Sequence, residues 1–345
     1  MSNHPMTDAS IGFYTDVCEK VNFTTRVNAI PPRIAALIQQ LSEETMKRYY
    51  GSGIVIPENI KGARILDVGC GSGSLVFLLA KLVGPTGYVV GVDATESLIE
   101  QCKKQTDYHA KTWGYEEPNF EFRVANAERL SELNLGEFDV VVSNGVFCLL
   151  PDQDKGFKEV VAALKPGGVF YLSDVYAKVE VPEELKTDNK LWVLGTAGAM
   201  VWARLQELAQ ANGLTIPYTT YVAGVNIKSE EIKKLLNNEF ACAASRMFKL
   251  PVDAKRGAAT VTYKGDIEDN EEVFKWDVDL TFKKDEPTVV DEYLATILTS
   301  TVFKDNFVVE DFDGEVQTKR NQDPFKLLAD LTEKGAAPET AYDVE

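Results

Sequence analysis

The segment 65–73, ILDVGCGSG, constrains the fold more than any other part of this chain. A hydrophobic run ends there at three closely spaced glycines, and an amphipathic stretch follows at 75–80. This order predicts a strand, a tight turn and a helix, because glycine permits positive φ and a helix start offers free N–H groups. Asp93 ends the next apolar run, where an acid can accept hydrogen bonds from ribose hydroxyls. The pattern therefore predicts a nucleotide site.

Two cofactors are compatible with this layout. A dinucleotide fingerprint is G-x-G-x-x-G, whereas this turn is G-x-G-x-G and is preceded by an acid, Asp67. S-adenosylmethionine (SAM) carries no phosphate that would need the third glycine of the fingerprint, and its ammonium group suits the acid. We therefore favour SAM over NAD, and also over a purely structural glycine turn.

Short apolar runs alternate with amphipathic segments from residue 64 to residue 174. The predicted strands are 64–68, 87–92, 119–124, 138–143 and 168–174, and the predicted helices between them are 74–83, 95–112, 128–133 and 153–164. Such alternation indicates βαβ units and a parallel sheet with right-handed crossovers. The expected fold class is α/β, a Rossmann-like sheet with flanking helices.

Composition and periodicity divide the chain into four parts. We expect an N-terminal lid and helical segment at 1–60, the α/β domain at 61–250, a small mixed α+β subdomain at 251–311 and a flexible acidic tail at 312–345. Further helices are predicted at 31–49, 202–211, 229–237, 289–299 and 324–331, and further strands at 215–222, 258–264 and 273–282.

The composition limits the partners of the protein. A net charge of −17 over 345 residues argues against a nucleic-acid partner. No apolar run reaches the roughly 18 residues that a membrane span needs, and the start of the chain lacks a signal-peptide pattern. Five scattered cysteines and two histidines argue against a metal site and fit reduced thiols. We expect a cytoplasmic protein with a small-molecule substrate, and its oligomeric state stays open.

Residues at the predicted strand ends are candidate cofactor contacts, because the carboxyl ends of parallel strands share one edge of the sheet. Asp93 should bind the ribose, and 126–128 should border the adenine. For Asn126 and Asn144 a role in an Asx turn is the alternative. The predicted cofactor-binding residues are Asp67, Gly69, Cys70, Gly71, Gly73, Asp93, Ala94, Asn126, Ala127, Glu128 and Asn144.

Methyl transfer from SAM mainly requires alignment of a nucleophile, exclusion of water and, for some acceptors, removal of a proton. Asp174 and Tyr176 lie at the end of the fifth predicted strand and are candidate bases or substrate contacts. His109, in the helix after Asp93, is a third candidate, for which a surface or packing role is the alternative.

Other stretches of the chain carry a recognisable pattern: RYYGSG at 48–53, the HxxxxGY segment at 109–115, FDVVVSNGVFCLLPD at 138–152, LKPGGVFYLSDVYA at 164–177, PEEL at 182–185, LWVLGTAGAMVW at 191–202, SRMFKL at 245–250 and TYKGDI at 262–267. Together with 65–93 they resemble the arsenite methyltransferase family, a branch of class I SAM methyltransferases. The resemblance covers roughly residues 12 to 305. It implies the class I methyltransferase fold, SAM as cofactor and methyl transfer as the activity.

The resemblance also implies cysteine thiolates that hold trivalent arsenic, since soft ligands suit this centre. At those positions this chain has Ser52, Gly145 and Gly195, and the N-terminal one falls near 27–28, without a cysteine. Cys148 lies three residues beyond a lost position and could reach the pocket, which makes it a catalytic candidate, but one thiolate is not a three-coordinate site. The predicted substrate-pocket residues are Tyr14, Tyr50, Ser52, Gly145 and Gly195.

These observations predict methyl transfer from SAM to a small-molecule acceptor other than arsenite. Glycines at 145 and 195 would leave space for a bulkier organic molecule. One alternative is arsenite methylation with a reduced thiol set that uses Cys148. The other is a non-catalytic SAM-binding regulator, with the acidic C-terminal part as its interaction surface.

Overall fold

The computed structural model describes residues 4–17, 30–47, 55–316, 322–336 and 343–344. The α-helices of these residues are α1 (Pro5–Val17), α2 (Pro32–Ile38), α3 (Glu43–Met46), α4 (Ser74–Val83), α5 (Glu96–Lys104), α6 (Thr106–Trp113), α7 (Gln153–Ala163), α8 (Asn189–Val193), α9 (Trp202–Ala211), α10 (Glu230–Leu236), α11 (Glu292–Ser300) and α12 (Pro324–Glu333). Short 3₁₀ helices are formed by Ala127–Leu133, Phe147–Leu149 and Leu185–Thr187.

The β-strands of the same residues are β1 (Arg64–Val68), β2 (Tyr88–Asp93), β3 (Phe120–Val124), β4 (Phe138–Asn144), β5 (Leu164–Ala177), β6 (Met200–Val201), β7 (Tyr218–Gly224), β8 (Asn226–Ile227), β9 (Phe240–Phe248), β10 (Ala259–Tyr263), β11 (Val273–Lys275), β12 (Thr281–Lys283), β13 (Pro287–Val290), β14 (Phe307–Asp311) and β15 (Asp343–Val344).

A central sheet with the strand order β3-β2-β1-β4-β5-β9-β7 positions the functional site. Strands β1 to β5 pair in parallel, and β9 runs antiparallel between β5 and β7. Helices cover the sheet, so strand residues such as Ile65, Leu66 and Val68 are fully buried. Burial on both faces explains the unbroken apolar runs of these strands. The predicted α/β, Rossmann-like fold class is confirmed.

The structure corrects several predicted elements. The helix predicted at 31–49 is divided into α2 and α3, because the Ser42 hydroxyl caps a new helix by accepting from Thr45 N at 3.2 Å. The helix predicted at 95–112 is divided at Gln105 into α5 and α6, and 128–133 lies in a 3₁₀ helix. Strand β9 was not predicted. Its small residues, in the stretch FACAASRMF, carry a weak strand pattern.

A second sheet, β13-β10-β14, and the hairpin β11-β12 accompany α11 after the central sheet. A single strand was predicted at 273–282, and the structure has the hairpin instead. The Asp277 carboxylate accepts hydrogen bonds from Asp279 N and Leu280 N at 2.8 and 2.7 Å, which closes the turn. Helix α12 packs on β7 and β9, so this part of the predicted flexible tail is ordered.

Arg246 of β9 connects the central sheet to this second region. Its guanidinium is fully buried, lies 4.2 Å from the centre of the Trp276 ring and forms an ion pair with Glu58 at 3.1 Å. The Tyr171 hydroxyl of β5 donates to the same Glu58 oxygen at 2.5 Å. We call these four residues the Arg246 cluster. A buried charge is tolerated here because a carboxylate, a carbonyl and an aromatic face surround it.

None of the helices in the described ranges combines the length and apolar character needed to cross a bilayer.

Candidate cofactor and acceptor site

The turn after β1 is held against the end of β2 by backbone hydrogen bonds. Gly69 N and Cys70 N both donate to Val92 O, at 2.8 and 2.9 Å, and Gly71 N donates to Asp93 Oδ2 at 2.9 Å. Gly69 has a φ of +76°, and a Cβ at this position would collide with Val146 Cγ2. The turn therefore requires glycine for both its backbone conformation and its close approach to the segment after β4.

This turn opens onto a cavity at the carboxyl ends of β1, β2, β3 and β4. The structure brings eleven of the sequence-predicted site residues together in its wall: Tyr14, Asp67, Gly69, Cys70, Gly71, Asp93, Ala94, Asn126, Ala127, Asn144 and Gly145. Ten of them, all except Tyr14, were predicted from the glycine turn and the strand ends, and the structure brings these ten together from four separate stretches of the chain.

Two carboxylates lie in the cavity wall. Asp93 is oriented by two backbone donors, Gly71 N to Oδ2 and Thr95 N to Oδ1, the latter at 2.8 Å. Asp67 is 2% exposed, and burial, followed by the nearby charge of Asp93, raises its pKa to about 8. Burial also raises the pKa of Asp93. Such carboxyl groups are strongly favoured to ionise beside a bound cation.

Two residues that were predicted to contact the cofactor do not line the cavity, and their contacts stabilise the fold instead. The Glu128 carboxylate accepts from Asp152 N at 2.8 Å and does not line the cavity. Gly73 begins α4, and a Cβ there would lie 2.8 Å from the Phe122 ring, so it is required for packing. Asn126 both lines the cavity and forms the Asx turn considered as its alternative, since its Oδ1 accepts from Glu128 N at 2.8 Å.

The cavity fits SAM, which is a cation with an adenine ring. Among the described lining residues two are carboxylates and none is Lys, Arg or His, so a positive charge is favoured there. A Cβ on Gly71 or Gly145 would meet no atom within 4 Å, which shows that open space adjoins the backbone at both points. Val92 and Leu98 supply apolar surface close to Asp93.

The predicted base Asp174 lies outside the cavity wall. It is 1% exposed, and its Oδ2 accepts from Phe147 N at 2.8 Å while its Oδ1 accepts from Val175 N at 2.8 Å. Burial raises its pKa despite these donors. The structure therefore gives Asp174 the role of holding the 3₁₀ helix after β4, which is a correction to its predicted role in catalysis.

Tyr176 and Cys148 are buried as well and do not line the cavity. The Tyr176 ring is fully buried edge-on against Trp202, with ring centres 5.2 Å apart. Cys148 is 3% exposed, and its sulfur faces Gly195, which also lies outside the cavity wall. These positions assign the three residues to packing, which corrects the predicted direct roles of Tyr176 and Cys148 and the predicted pocket position of Gly195.

His109 is a packing residue, the alternative considered from the sequence. Its ring stacks on Phe77 with centres 3.7 Å apart, and its Nε2 accepts from Ser42 N at 3.2 Å. Burial lowers its pKa, which fits a neutral ring. The two remaining predicted pocket residues, Tyr50 and Ser52, lie outside the described residues.

Helix α1 forms one wall of the cavity, and Tyr14 is the one residue of this wall that the sequence analysis named. Thr7, Ser10, Ile11 and Tyr14 of α1 all line it. Their spacing of three, four and seven residues from Thr7 places them on one face of the helix. That spacing is present in the sequence, but polar and apolar side chains share the face, so hydrophobic periodicity does not reveal it.

Comparison with known proteins shows the family. A methyltransferase-domain model matches residues 59–241, and a model of the arsenite methyltransferase C-terminal domain matches 256–343. Arsenite methyltransferase of Mus musculus is 35% identical over 319 residues, which cover 89% of this chain and 85% of the relative. Arsenite methyltransferase of Aquipseudomonas alcaligenes is 37% identical over 247 residues, which cover 70% of each chain.

A solved structure extends this agreement to three dimensions. An arsenic(III) S-adenosylmethionine methyltransferase from Chlamydomonas reinhardtii superposes with a TM-score of 0.77 at 29% identity, over 81% of this chain and 96% of that one. The sequence, the fold and the cavity agree that this protein is a SAM-dependent methyltransferase. The chain belongs to the arsenite methyltransferase family.

Proposed function

We propose that this enzyme transfers the methyl group of SAM to a small organic acceptor rather than to arsenite. The observation that carries the proposal is the chemistry of the positions where the family resemblance implies arsenic-binding thiolates. Two of them, Gly145 and Gly195, have no side chain. Within the part of the chain that the structure describes, no three His, Cys, Asp or Glu residues group as metal ligands.

The thiols present elsewhere in the described residues support the same proposal. Cys70, Cys102, Cys148 and Cys242 are all buried. Cys102 donates to Gly71 O at 3.3 Å. Burial raises the pKa of the Cys70 and Cys148 thiols well above the ordinary value, whereas the thiolate is the form that binds a soft ion. These cysteines are therefore poorly suited to hold arsenic.

When bound, SAM supplies a methyl group that its sulfonium charge has already activated. Asp67 would receive the ammonium group, and Asp93 would accept hydrogen bonds from the ribose. Ile11 of α1 and Leu149 and Leu150 after β4 also line the cavity and would help to exclude water from it. The protein thus contributes mainly alignment and a dry, negatively charged site.

Arsenite remains a second candidate acceptor, because the relatives of this chain carry the name arsenite methyltransferase. Cys148 and Cys242 lie in one apolar cluster, so this candidate would need a displacement that brings buried thiols into the cavity. Replacement of Cys148 by serine tests it directly, since arsenic methylation through this thiol would be lost in Cys148→Ser and a wholly organic acceptor would be unaffected.

The deciding experiment incubates the purified protein with methyl-labelled SAM in two parallel reactions. One contains a fractionated metabolite extract without arsenic, and the other contains arsenite with glutathione. We expect a labelled organic product in the first reaction and no labelled arsenic species in the second. Methylated arsenic in the second reaction, with no labelled organic product in the first, would overturn the proposal. Omission of protein is the background control.

A further inference from the structure

The two ends of helix α1 contact different sides of the cavity. Near its start, Met6 packs in one cluster with Cys148 and Val175, beside the ends of β4 and β5. Near its end, Thr15 accepts a hydrogen bond from Ser97 of α5 at 3.5 Å. Helix α5 follows Asp93 directly, so this end lies on the ribose side. The first turn of α1 is therefore on the side of the cavity away from the ribose carboxylate.

Thr7 lies in this first turn, lines the cavity and is 9% exposed. Its Oγ1 is buried and has no hydrogen-bond partner among the described residues. The neighbouring Ser10 lies on the same face and is equally buried, but its hydroxyl donates to Met6 O at 3.1 Å. A buried hydroxyl without a partner costs about 1–3 kcal/mol. An unpaired hydroxyl in the wall of a ligand cavity points to a ligand group that completes it.

The charge of the cavity restricts what that ligand can be. Among the described lining residues Asp67 and Asp93 are the ionisable carboxyl groups, and no cationic side chain is present. An anionic acceptor would find no cationic side chain among these lining residues to balance its charge. The apolar side chains Ile11, Leu149 and Leu150 lie in the same wall. A partly apolar molecule without negative charge suits these surroundings.

We propose that Thr7 is a specificity-determining residue, whose hydroxyl hydrogen-bonds a polar group of an uncharged, partly apolar acceptor bound between α1 and Gly145. This inference rests on the proposed function, because it assigns an organic molecule to the acceptor site. A hydroxyl can donate and accept, so the acceptor's polar group can be a hydroxyl, a carbonyl or an amine.

The test uses fragment binding and does not require turnover. Phenol, benzyl alcohol and benzamide are titrated by ligand-observed NMR into protein saturated with S-adenosylhomocysteine, and toluene serves as the probe without a polar group. The variants are Thr7→Val, which keeps the shape, Thr7→Ser, which keeps the hydroxyl, and Thr301→Val, the matched control outside the cavity wall, whose buried hydroxyl already donates to Ile297 O. Thermal unfolding of each ligand-free variant is measured alongside.

We expect Thr7→Val to weaken binding of at least one polar fragment about 5-fold, the contribution of one hydrogen bond, and to leave toluene unchanged. Thr7→Ser and Thr301→Val should bind all fragments as the wild type does. Thr7→Val should also raise the Tm of the ligand-free protein, because it removes an unpaired buried hydroxyl. A residue with a purely structural role would not weaken fragment binding while raising Tm.

Three outcomes would overturn the inference. The first is wild-type protein that binds none of the polar fragments, and the second is Thr7→Val protein that binds them as tightly as the wild type. The third is a loss of S-adenosylhomocysteine affinity in Thr7→Val without an effect on fragments, which would assign the hydroxyl to the cofactor. Failure of the proposed function appears separately, as arsenic methylation in the labelled-SAM assay.

Discussion

The sulfur of Cys148 lies 3.0 Å from the point that a Cβ on Gly195 would occupy. Family resemblance implies a cysteine at position 195, and in this chain a sulfur from the segment after β4 fills the space beside it. Gly195 also has a φ of +77°, which a residue with a side chain adopts only with strain. A side chain at position 195 would therefore compete with the Cys148 thiol for the same space.

We therefore expect Gly195→Cys to lower the free energy of unfolding by about 2–4 kcal/mol, from backbone strain together with overpacking. The double variant Gly195→Cys/Cys148→Ala should recover the part that comes from overpacking, about 1–3 kcal/mol. Urea denaturation of both variants and of Cys148→Ala alone measures the coupling. A single variant as stable as the wild type would show that the two positions do not compete for space.

Asp67 should make SAM binding depend on pH. Its pKa of about 8 means that the carboxyl holds a proton at pH 6 and must release it to pair with the ammonium group. Affinity should therefore rise by up to about tenfold per pH unit from pH 6 towards 8, until the ammonium group itself loses its proton near pH 8. Calorimetry in buffers of different ionisation enthalpy measures the proton released.

The variant Asp67→Asn should abolish this rise and weaken SAM binding by about 10-fold to 100-fold, as expected for a lost charged hydrogen bond. A SAM affinity that stays constant between pH 6 and 8 in the wild type would exclude Asp67 as the ammonium partner. The amide is nearly isosteric, so circular dichroism should show unchanged secondary structure in the variant.

Two glycines of the same turn should respond differently to replacement by alanine. At Gly69 the new methyl group collides with Val146, so Gly69→Ala should destabilise the fold by more than the 1–2 kcal/mol or so of backbone strain. At Gly71 the methyl group would meet no atom within 4 Å, so Gly71→Ala should cost no more than the strain of its φ of +51°, and it should also weaken SAM binding, since Gly71 lines the cavity. Thermal unfolding and SAM calorimetry on both variants separate the effects; equal behaviour would contradict this assignment.

His109 should matter for stability and not for turnover. In His109→Phe the stacking on Phe77 is kept, but Ser42 N loses its acceptor, at a cost of about 1–3 kcal/mol. The lowered pKa keeps the folded-state ring neutral where the unfolded chain takes up a proton. The contribution of His109 is therefore lost as pH falls below about 6.5, the unfolded value. Unfolding curves at pH 5 and 8 test this, and a fall in kcat at full folding would contradict it.

Arg246→Met should be among the most destabilising single changes. It leaves Glu58 without its ion-pair partner and removes the cation from the face of Trp276. Loss of one partner of a buried pair costs about 3–5 kcal/mol. The double variant Glu58→Gln/Arg246→Met should lose less than the sum of its single variants, as measured by urea denaturation. Additive losses would show that the two groups are independent.

The sequence was sufficient to bring most of the predicted cofactor residues to one cavity and insufficient to find the helix that lines its other side. Asp67, Asp93 and Asn144 follow strong apolar runs, and the geometry of parallel sheets then places strand ends together. Whether a residue at a strand end is open to the cavity or buried beneath another segment does not follow from the strand pattern. Asp174 also ends a predicted strand, but the backbone N–H groups of Phe147 and Cys148 donate to its carboxylate, and that contact depends on a segment whose path no local pattern predicts.

Helix α1 likewise shows that the sequence pattern does not reveal which side chains line the cavity. Nothing in its composition distinguishes Thr7, which has no partner among the described residues, from Ser10, which has one. The difference arises when the helix is packed against the cavity, since the Ser10 hydroxyl bonds to Met6 O of its own helix, whereas the Thr7 hydroxyl is buried in the cavity wall without a partner among the described residues. Recognition residues of this kind become visible once tertiary packing is known.

The Arg246 cluster has a consequence for how this protein can be divided. The regions matched by the methyltransferase-domain model and by the C-terminal-domain model end and begin on opposite sides of Arg246. Glu58 precedes the first region, Tyr171 lies inside it and Trp276 lies in the second. A chimaera made by exchanging either region between relatives would replace one of the four cluster residues, Tyr171 or Trp276, and would keep the Glu58–Arg246 ion pair that this residue contacts. The two regions can be separated in the sequence, but in the folded protein each contributes a residue to the same buried cluster.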